Sequence, residues 1–320
     1  MTSKIAIIGE CMIELSESTA GIQRHFGGDT LNTAVYLARA NRNLDVHYVT
    51  ALGTDGFSQQ MLAHWQREGV QTDLVQQLAT KLPGLYVIET DAHGERTFHY
   101  WRNDAAARYW LQGPDSARVI QQLQQFDYLY LSGITLAILP PADRERLLTL
   151  LADCRGQGAK IIFDNNYRPR LWQGGADEAR AAYAAMLDLT DLAFLTLEDD
   201  EVLWGDVNVE ACLARTTAHG VSEIVIKRGA EPCLVVAGGQ RHTIPAQRLR
   251  PEEVIDTTAA GDSFSAGYLA VRLAGGDETR SAQFAHQLAG TVIRHRGAII
   301  PLTAMPAVGA TTEVHHVCTA

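Results

Sequence analysis

The sequence has no apolar run that approaches the ~18–20 residues that a membrane-spanning helix needs. Cysteine is scarce and scattered, without a Cys-x-x-Cys pair, and this usage is typical of reduced, buried thiols in a cytoplasmic protein. We expect no secretory leader, because Lys4 leads directly into an apolar segment that is typical of a strand. The five cysteines are Cys11, Cys154, Cys212, Cys233 and Cys318.

Several motifs with a known chemistry are also missing. The 11 histidines form no His-x-x-His or His-Glu-x-x-His pattern, so we predict no zinc site. Neither a Walker A sequence nor a Gly-x-Ser-x-Gly elbow is present. Cationic residues are in deficit, and the net charge of −10 disfavours nucleic acid and anionic membranes as partners.

The 320 residues, 46% of them hydrophobic, are sufficient for a substantial core. Short apolar runs alternate with helical periodicity, and this alternation predicts an α/β fold with a mostly parallel central sheet flanked by helices. The predicted strands are 4–9, 46–52, 128–132, 160–164, 192–195 and 223–227. The predicted helices are 29–41, 55–68, 116–125, 141–156, 176–189, 207–219, 262–274 and 279–295.

Two regions break this rhythm, because they contain strand patterns without intervening helices. Residues 11–27 and 84–104 predict a small β-sheet lid, with a hairpin turn at 91–95. An ordinary extension of the sheet or a dimer contact is the alternative, and exposed strand edges would favour a homo-oligomer, a dimer or higher. The predicted α/β domain is then 1–10, 28–83 and 105–302, followed by a tail of low pattern at 303–320.

The most informative segment is Asp256-Thr-Thr-Ala-Ala-Gly-Asp-Ser-Phe264. Its small residues allow a turn whose N–H groups converge before a helix, and such a nest binds anions. A carboxylate at an anion site repels its ligand unless it has a task there, such as accepting a proton from an attacking hydroxyl. A simple helix cap is the alternative for Asp262.

Other segments place polar groups after predicted strands. Gly27-Gly28-Asp29-Thr-Leu-Asn32 offers a carboxylate and an amide to sugar hydroxyls, or it is a capped glycine turn. Tyr100 and Arg102 share a face on a strand, which suits a ligand with a carboxylate, although a solvent-facing arginine is the default. Pro169 favours an extended approach for Arg168, the better-placed cation of its segment, and a surface loop is the alternative.

Two further segments suit a nucleotide and its metal. The acids Glu198-Asp-Asp-Glu201 at the head of a helix either stabilise that helix or hold Mg²⁺ through water. Lys227-Arg-Gly-Ala230 closes a strand with a turn whose groups could meet phosphates. A lone histidine such as His286 is more often a packed core residue.

Taken together and in this order, the segments resemble the ribokinase-like (PfkB) carbohydrate kinase family from Ile5 to about Pro301. The resemblance implies a small β lid over the sugar and ATP-dependent phosphorylation of a sugar hydroxyl, with Mg²⁺. A monovalent cation such as K⁺ is a further expectation. Asp262 is then the catalytic base, and Ala259, Ala260 and Gly261 form the anion hole.

The resemblance also implies binding residues. Sugar contacts fall at Gly27, Gly28, Asp29, Asn32, Tyr86, Tyr100, Arg102, Asn103, Arg168 and Asp262. Nucleotide contacts fall at Asn166, Arg168, Lys227, Gly229, Ala230, Gly261 and His286, and the acidic residue linked to Mg²⁺ falls at Glu201.

The sequence departs from the family pattern at three positions. Ala259 replaces the usual glycine, and we expect it to form the hole if its φ stays negative. Glu198 replaces the asparagine of the Asn-x-x-Glu motif, and His286 stands where asparagine is common.

Within the family, Tyr100-x-Arg-Asn103 and Asn166-Tyr-Arg-Pro169 most resemble the subfamily that phosphorylates 2-keto-3-deoxygluconate. The chemistry agrees, because a sugar acid presents a carboxylate to Arg102 and Arg168. Kinases of fructose, ribose, a nucleoside or tagatose phosphate are the alternatives, together with a non-catalytic binding protein that keeps the fold.

Overall fold

The computed structural model describes residues 2–18, 21–90 and 96–308. The predicted hairpin turn at 91–95, Cys318 and most of the predicted tail lie outside the described residues. The helices are α1 (Asp29–Ala40), α2 (Gly56–Arg67), α3 (Ser116–Leu123), α4 (Gly133–Ile138), α5 (Pro141–Gly156), α6 (Gly175–Leu187), α7 (Leu197–Trp204), α8 (Val209–Ala218), α9 (Ala260–Arg272) and α10 (Glu278–Val292).

The strands belong to two sheets, which are numbered here in chain order. They are β1 (Ser3–Ile8), β2 (Met12–Ser18), β3 (Gly21–Gly27), β4 (Leu44–Leu52), β5 (Val75–Gln77), β6 (Leu85–Thr90), β7 (Arg96–Trp101), β8 (Tyr128–Ser132), β9 (Lys160–Asp164), β10 (Leu192–Thr196), β11 (Glu223–Lys227), β12 (Cys233–Ala237) and β13 (Gln240–Ile244).

The large sheet has nine strands in the order β13-β12-β11-β10-β9-β8-β1-β4-β5. All neighbours are parallel except at one edge, where β12 is antiparallel to both β11 and β13. Helices cover both faces, so strand residues are buried on both sides: Ala6 and Ile8 of β1 join one core cluster, and Ile5 and Ile7 join the other. This explains why the central strands read as continuous apolar runs. The predicted fold class is confirmed.

The second sheet has four strands in the order β3-β2-β6-β7. The β2–β6 pair is parallel, whereas β2–β3 and β6–β7 are antiparallel. The strands therefore come from the two regions, 11–27 and 84–104, that break the helix–strand rhythm in the sequence. Among the described helices, none has both the length and the apolarity that a membrane crossing requires.

The helix predicted over 262–274 begins earlier, at Ala260, and lies in the core beside α1 and α10. Its buried face consists largely of small residues, and a side chain at Gly267 would collide with the backbone of Ala285 in α10. The start of α9 also meets the start of α1, where Asn32 donates a hydrogen bond to Asp262. The carboxyl ends of β9 and β11 lie at the same place, where an open α/β sheet draws its functional side chains.

Candidate active site

The turn before α9 has the geometry of an anion-binding nest. Asp256 shapes the turn, because its carboxylate accepts hydrogen bonds from the N–H and hydroxyl of Thr258 (3.0 and 2.7 Å) and from the N–H of Gly297 (2.9 Å). Ala259 is the N-cap of α9, followed by Ala260 and Gly261 in the first turn. The N–H of Ala260 donates to the carbonyl of Thr257 at 3.2 Å. The other N–H groups of a first helical turn have no partner within the helix, and this is the arrangement that binds anions.

Ala259 corrects one expectation from the sequence. Its φ is +60° and its ψ is 17°, in the left-handed region, and not negative as we expected for an alanine that forms the nest. Ser263 stabilises this conformation from the next turn, since its N–H and hydroxyl both donate to the carbonyl of Ala259 at 2.9 and 2.7 Å. An alanine therefore adopts here the backbone conformation that the family's usual glycine adopts freely, at a steric cost.

Asp262 lies in the first turn of α9 and faces α1. The amide of Asn32 donates to its carboxylate at 2.8 Å, across 230 residues of sequence. Burial, and secondly the negative charge of Asp29, raise the pKa of Asp262 to about 7, although the Asn32 hydrogen bond opposes the shift. A carboxylate with a pKa near neutrality is well suited to accept a proton at physiological pH.

The remaining polar residue at the start of α1 is bound from another loop. Asn166, in the loop after β9, donates from its side-chain amide to Asp29 at 2.6 Å. Asn166 has a φ of +25°, and asparagine is one of the few residues that tolerate positive φ. The predicted nucleotide contact at Asn166 therefore lies beside Asp29, a residue predicted to contact the sugar.

A buried ion pair lies beneath the nest. The Lys227 ammonium at the end of β11 is 2.8 and 3.0 Å from the two carboxylate oxygens of Asp164 at the end of β9. Ser265 of α9 donates to the same carboxylate at 2.8 Å. A side chain at Gly261 would lie 3.5 Å from the Lys227 ammonium nitrogen. The Lys227 ammonium thus lies close to the first turn of α9, with its charge balanced by Asp164.

The two glycines before α1 leave room for other parts of the protein. A side chain at Gly27 would overlap the Tyr86 hydroxyl, and one at Gly28 would overlap the Glu10 carbonyl. The Tyr86 hydroxyl in turn donates to Glu14 of β2. The glycines thus let the small sheet close onto the start of α1, an effect that we expected only for a ligand.

The small sheet presents aromatic rings beside a buried cation. Tyr86 and Tyr100 are directly paired on β6 and β7, with ring centroids 5.8 Å apart. Arg102, one residue beyond the end of β7, lies with its guanidinium carbon 5.9 Å from the Tyr100 ring. It is only 8% exposed and forms an ion pair with the buried Glu10. Arg102 is therefore not a solvent-facing arginine, whereas Asn103 beside it is exposed.

Arg168 lies on the surface and contacts a helix of the main domain. Its guanidinium is 3.3 Å from Asp199 in the first turn of α7, and Asp199 also accepts from the Tyr167 N–H at 3.1 Å. Burial raises the pKa of Asp199, against the opposing charges of Arg168 and Lys227. Asp199 thus faces the loop after β9.

Glu201, the predicted metal residue, is exposed and lies two residues further along α7. Successive residues of an α-helix are about 100° apart around the axis, so Glu201 faces roughly opposite to Asp199. Asp199 is the carboxylate of this helix that turns toward the loop after β9, and the assignment of the Mg²⁺-linked acid to Glu201 stays a prediction.

The remaining predicted nucleotide residues lie on two elements. Gly229 (φ +57°) and Ala230 form the exposed turn between β11 and β12. His286 of α10 is buried with its ring centroid 5.0 Å from that of Phe264, and burial lowers its pKa to about 4. Its imidazole is thus neutral at neutral pH, and its Nε2 atom has no hydrogen-bond partner within the part of the chain that the structure describes.

Glu10 and Glu14 are not predicted from the sequence. The sequence does contain a signal for Glu10, because this residue follows the apolar run of β1. Asp164 stands in a similar place, at the end of the apolar run of β9. Asp199 was noticed as a helix-start acid, but the phase of α7 relative to the site is not encoded locally.

Comparison with known proteins agrees with this architecture. The profile of the pfkB family carbohydrate kinases matches residues 2–305. The chain is 64% identical over 309 residues to a 2-dehydro-3-deoxygluconokinase of Dickeya dadantii (96% of this chain, 99% of the relative). It is 60% identical over 310 residues to the protein of the same name from Escherichia coli K12 (96% and 100%).

Among solved structures, a putative ribokinase II from E. coli in complex with ATP and Mg²⁺ has a TM-score of 0.80 at 20% identity. The similarity covers 96% of this chain and 97% of that one. At this level of identity the match shows a shared fold.

Proposed function

Because the chain belongs to the pfkB family of carbohydrate kinases, we propose that it transfers the γ-phosphoryl group of ATP to the C6 hydroxyl of 2-keto-3-deoxy-D-gluconate. The product is 2-keto-3-deoxy-6-phosphogluconate, released with ADP. The identities of 60–64% over nearly the whole chain, to proteins named 2-dehydro-3-deoxygluconokinase, support this substrate.

The observation that carries the reaction type is the position of Asp262 in the first turn of α9, directly after the nest. Asp262 accepts the proton of the attacking hydroxyl while the oxygen attacks the γ-phosphorus and the bond to ADP breaks. Asn32 orients the carboxylate through its hydrogen bond of 2.8 Å. The nest stabilises the charge on the transferring phosphoryl group, because N–H groups and the helix dipole at the N-terminus of α9 favour negative charge.

Magnesium accompanies ATP in this proposal. Asp199, a carboxylate that faces the loop after β9, suits a bound Mg²⁺ ion. This ion prefers oxygen ligands and retains part of its water shell, so one carboxylate is enough to help hold it. When bound, the ion neutralises charge on the β- and γ-phosphates. A monovalent cation such as K⁺ is a further expectation of the family, and a comparison of rates in potassium and tetramethylammonium salts tests it.

The sugar acid lies between α1 and the small sheet. Asp29 and Asn32 contact its hydroxyls, together with the backbone of Gly27 and Gly28, and its carboxylate is bound by Arg102, with Arg168 and Asn103 nearby. A charge-assisted hydrogen bond of this kind contributes about 1.5–3 kcal/mol, which is enough to select acids over neutral sugars. Tyr86 and Tyr100 enclose the carbon chain, and closure of the lid excludes water from the phosphoryl group.

The nucleotide lies over the ends of β9 and β11. Lys227 and Gly261 contact its phosphates, while Gly229, Ala230 and His286 lie on the adenine side. We assign Asn166 to the orientation of Asp29, because their hydrogen bond is 2.6 Å long.

The small sheet also suits contact with a second copy of the chain. Its exposed apolar side chains include Ile22 (73% exposed), Tyr100 (50%) and Trp101 (61%). An assembly that covers these side chains would protect the open strand edges, so we propose a homo-oligomer.

The substrate assignment is tested by ADP production from Mg·ATP with 2-keto-3-deoxygluconate, gluconate, fructose, ribose and tagatose 6-phosphate. We expect the keto-deoxy acid to exceed the others in kcat/KM by about 100-fold, equivalent to about 2.7 kcal/mol. A preference for a neutral sugar or a sugar phosphate would contradict the assignment and leave the kinase chemistry intact. Binding of sugar without ADP production would contradict both.

A further inference from the structure

Glu10 occupies the junction between the two sheets. It follows β1 of the large sheet by two residues and is 3% exposed. Its Oε2 atom accepts a hydrogen bond from Nη2 of Arg102, which follows the last strand of the small sheet. A single buried ion pair therefore joins the main domain to the end of the lid.

The backbone around Glu10 is shaped to admit this side chain. A side chain at Gly84 would lie 2.7 Å from Glu10 Oε1 and 3.3 Å from the Cβ of Arg102. The carbonyl of Glu10 occupies the space beside Gly28, where a side chain would overlap it. Glu10 thus contacts the start of β6, the end of β7 and the N-cap of α1, three segments that line the proposed sugar site.

The ion pair is incomplete as a hydrogen-bond network. Glu10 Oε1 and Arg102 Nε are both buried without a hydrogen-bond partner in the part of the chain that the structure describes. A guanidinium has five N–H donors in a planar fork that matches a carboxylate. Arg102 therefore keeps donors free for a second carboxylate while Glu10 holds one of its terminal nitrogens.

The charged form of Glu10 depends on its arginine neighbours. Burial raises the pKa of Glu10, whereas the charges of Arg102 and Arg108 lower it and that of Asp29 adds to the rise. A buried guanidinium without a counter-ion is costly, and a long side chain without a fixed partner samples several rotamers. Glu10 removes both costs before the substrate arrives.

We propose that Glu10 is a positioning residue that holds the Arg102 guanidinium where the carboxylate of a sugar acid binds. The inference rests on the proposed function, in which Arg102 contacts that carboxylate. Because Glu10 extends from β1 and α1 starts beside it, the pair also sets the distance between the carboxylate end of the substrate and the hydroxyl end near Asp262.

The test is a double-mutant cycle of Glu10→Gln and Arg102→Ala, measured as steady-state kinetics with 2-keto-3-deoxygluconate and Mg·ATP. Glutamine keeps the size of Glu10 and removes its charge. We expect Glu10→Gln to raise KM for the sugar acid about 10-fold, with kcat within about 3-fold and KM for Mg·ATP unchanged. In the Arg102→Ala background the same change should have almost no further effect, because the group that Glu10 positions is gone.

Glu68→Gln is the matched control, because Glu68 forms a partly buried ion pair with Arg39 (2.6 Å) away from the site. It should lower the melting temperature without changing KM for the sugar acid. If Glu10→Gln fails to fold, Glu10→Asp takes its place in the cycle, and its retained charge should give a smaller rise in KM.

Three results would overturn the inference: an equal effect of Glu10→Gln with and without Arg102, a lower KM in Glu10→Gln, or a matching rise in KM for Glu68→Gln. These outcomes leave the proposed function standing if Arg102→Ala still lowers kcat/KM for the sugar acid more than for neutral sugars such as fructose. If Arg102→Ala lowers kcat/KM equally for acids and neutral sugars, Arg102 does not bind the substrate carboxylate. That result would overturn both the proposed carboxylate site and the positioning role of Glu10.

Discussion

Asp262, Asn32 and Asp29 come together from the first turns of two helices that are 230 residues apart in sequence. The motifs themselves were recognisable, because each combines small residues with a carboxylate at a helix start. Their partners were not, since a side-chain amide gives no sign in the sequence of which carboxylate it will meet. The same limit applies to Arg102, whose buried partner Glu10 lies 92 residues away.

Ala259 offers a test of backbone strain in the nest. An alanine in the left-handed region is less stable than a glycine by about 1 kcal/mol, partly offset by the greater flexibility of glycine in the unfolded chain. We therefore expect Ala259→Gly to raise the melting temperature by about 1–3 °C. Thermal unfolding followed by circular dichroism measures the change.

Ala260→Gly is the control for this prediction, because Ala260 is the first helical residue of α9. Glycine there gains nothing from a left-handed backbone and loses helix propensity, so it should lower the melting temperature. If both variants are destabilised equally, Ala259 is not strained in solution.

At the level of secondary structure, the periodicity and length of the apolar segments predict the central strands and helices well. The edge hairpin β12–β13 was missed, although its Gly238-Gly239 turn, with φ values of +56° and +77°, follows a short apolar run and is a strong hairpin signal. The strand β5, of three residues, and the helix α4, of six, are too short for their periodicity to be recognised.

Helix α7 supplies a prediction that depends on helical phase. Asp199 faces the loop after β9, and Glu201 is exposed on a different side. We expect Asp199→Asn to raise the Mg²⁺ concentration for half-maximal activity about 10-fold or more, because a ligand shell that loses a carboxylate binds the ion less tightly. Activity titrated with MgCl₂ at constant ATP measures this.

Glu201→Gln is the matched comparison on the same helix, and it should leave the Mg²⁺ titration unchanged. The opposite pattern, with Glu201→Gln shifted and Asp199→Asn unchanged, would support the sequence-based prediction of Glu201 and contradict the role given to Asp199.

For the molecule as a whole, the alternation of strands and helices was enough to predict layers, but not the order of strands. The order places β1 between β8 and β4, with β9, β10 and β11 following in sequence toward one edge. Strand order depends on long-range pairing, and central strands that are apolar on both faces, such as β1, have few features that select one neighbour over another. The separation of 11–27 and 84–104 into a second sheet was predictable, because helices are absent from both.

We propose that Asp262 is the base of a phosphoryl transfer that takes place between the two sheets. The most direct test is the pH dependence of kcat/KM for the protein and for Asp262→Asn, with 2-keto-3-deoxygluconate as the substrate. Because burial raises the pKa of Asp262 to about 7, its carboxylate is protonated below that pH. The protein should therefore lose activity tenfold per pH unit below about 7.

Asp262→Asn should have a kcat lower by about 10²–10⁴-fold at pH 8, with no such acidic limb. Its calorimetric affinity for the sugar acid should be nearly unchanged. Its melting temperature should be at least that of the parent, because the folded state disfavours the charge that asparagine removes. Near-normal kcat in Asp262→Asn, or an identical acidic limb in both proteins, would contradict the account.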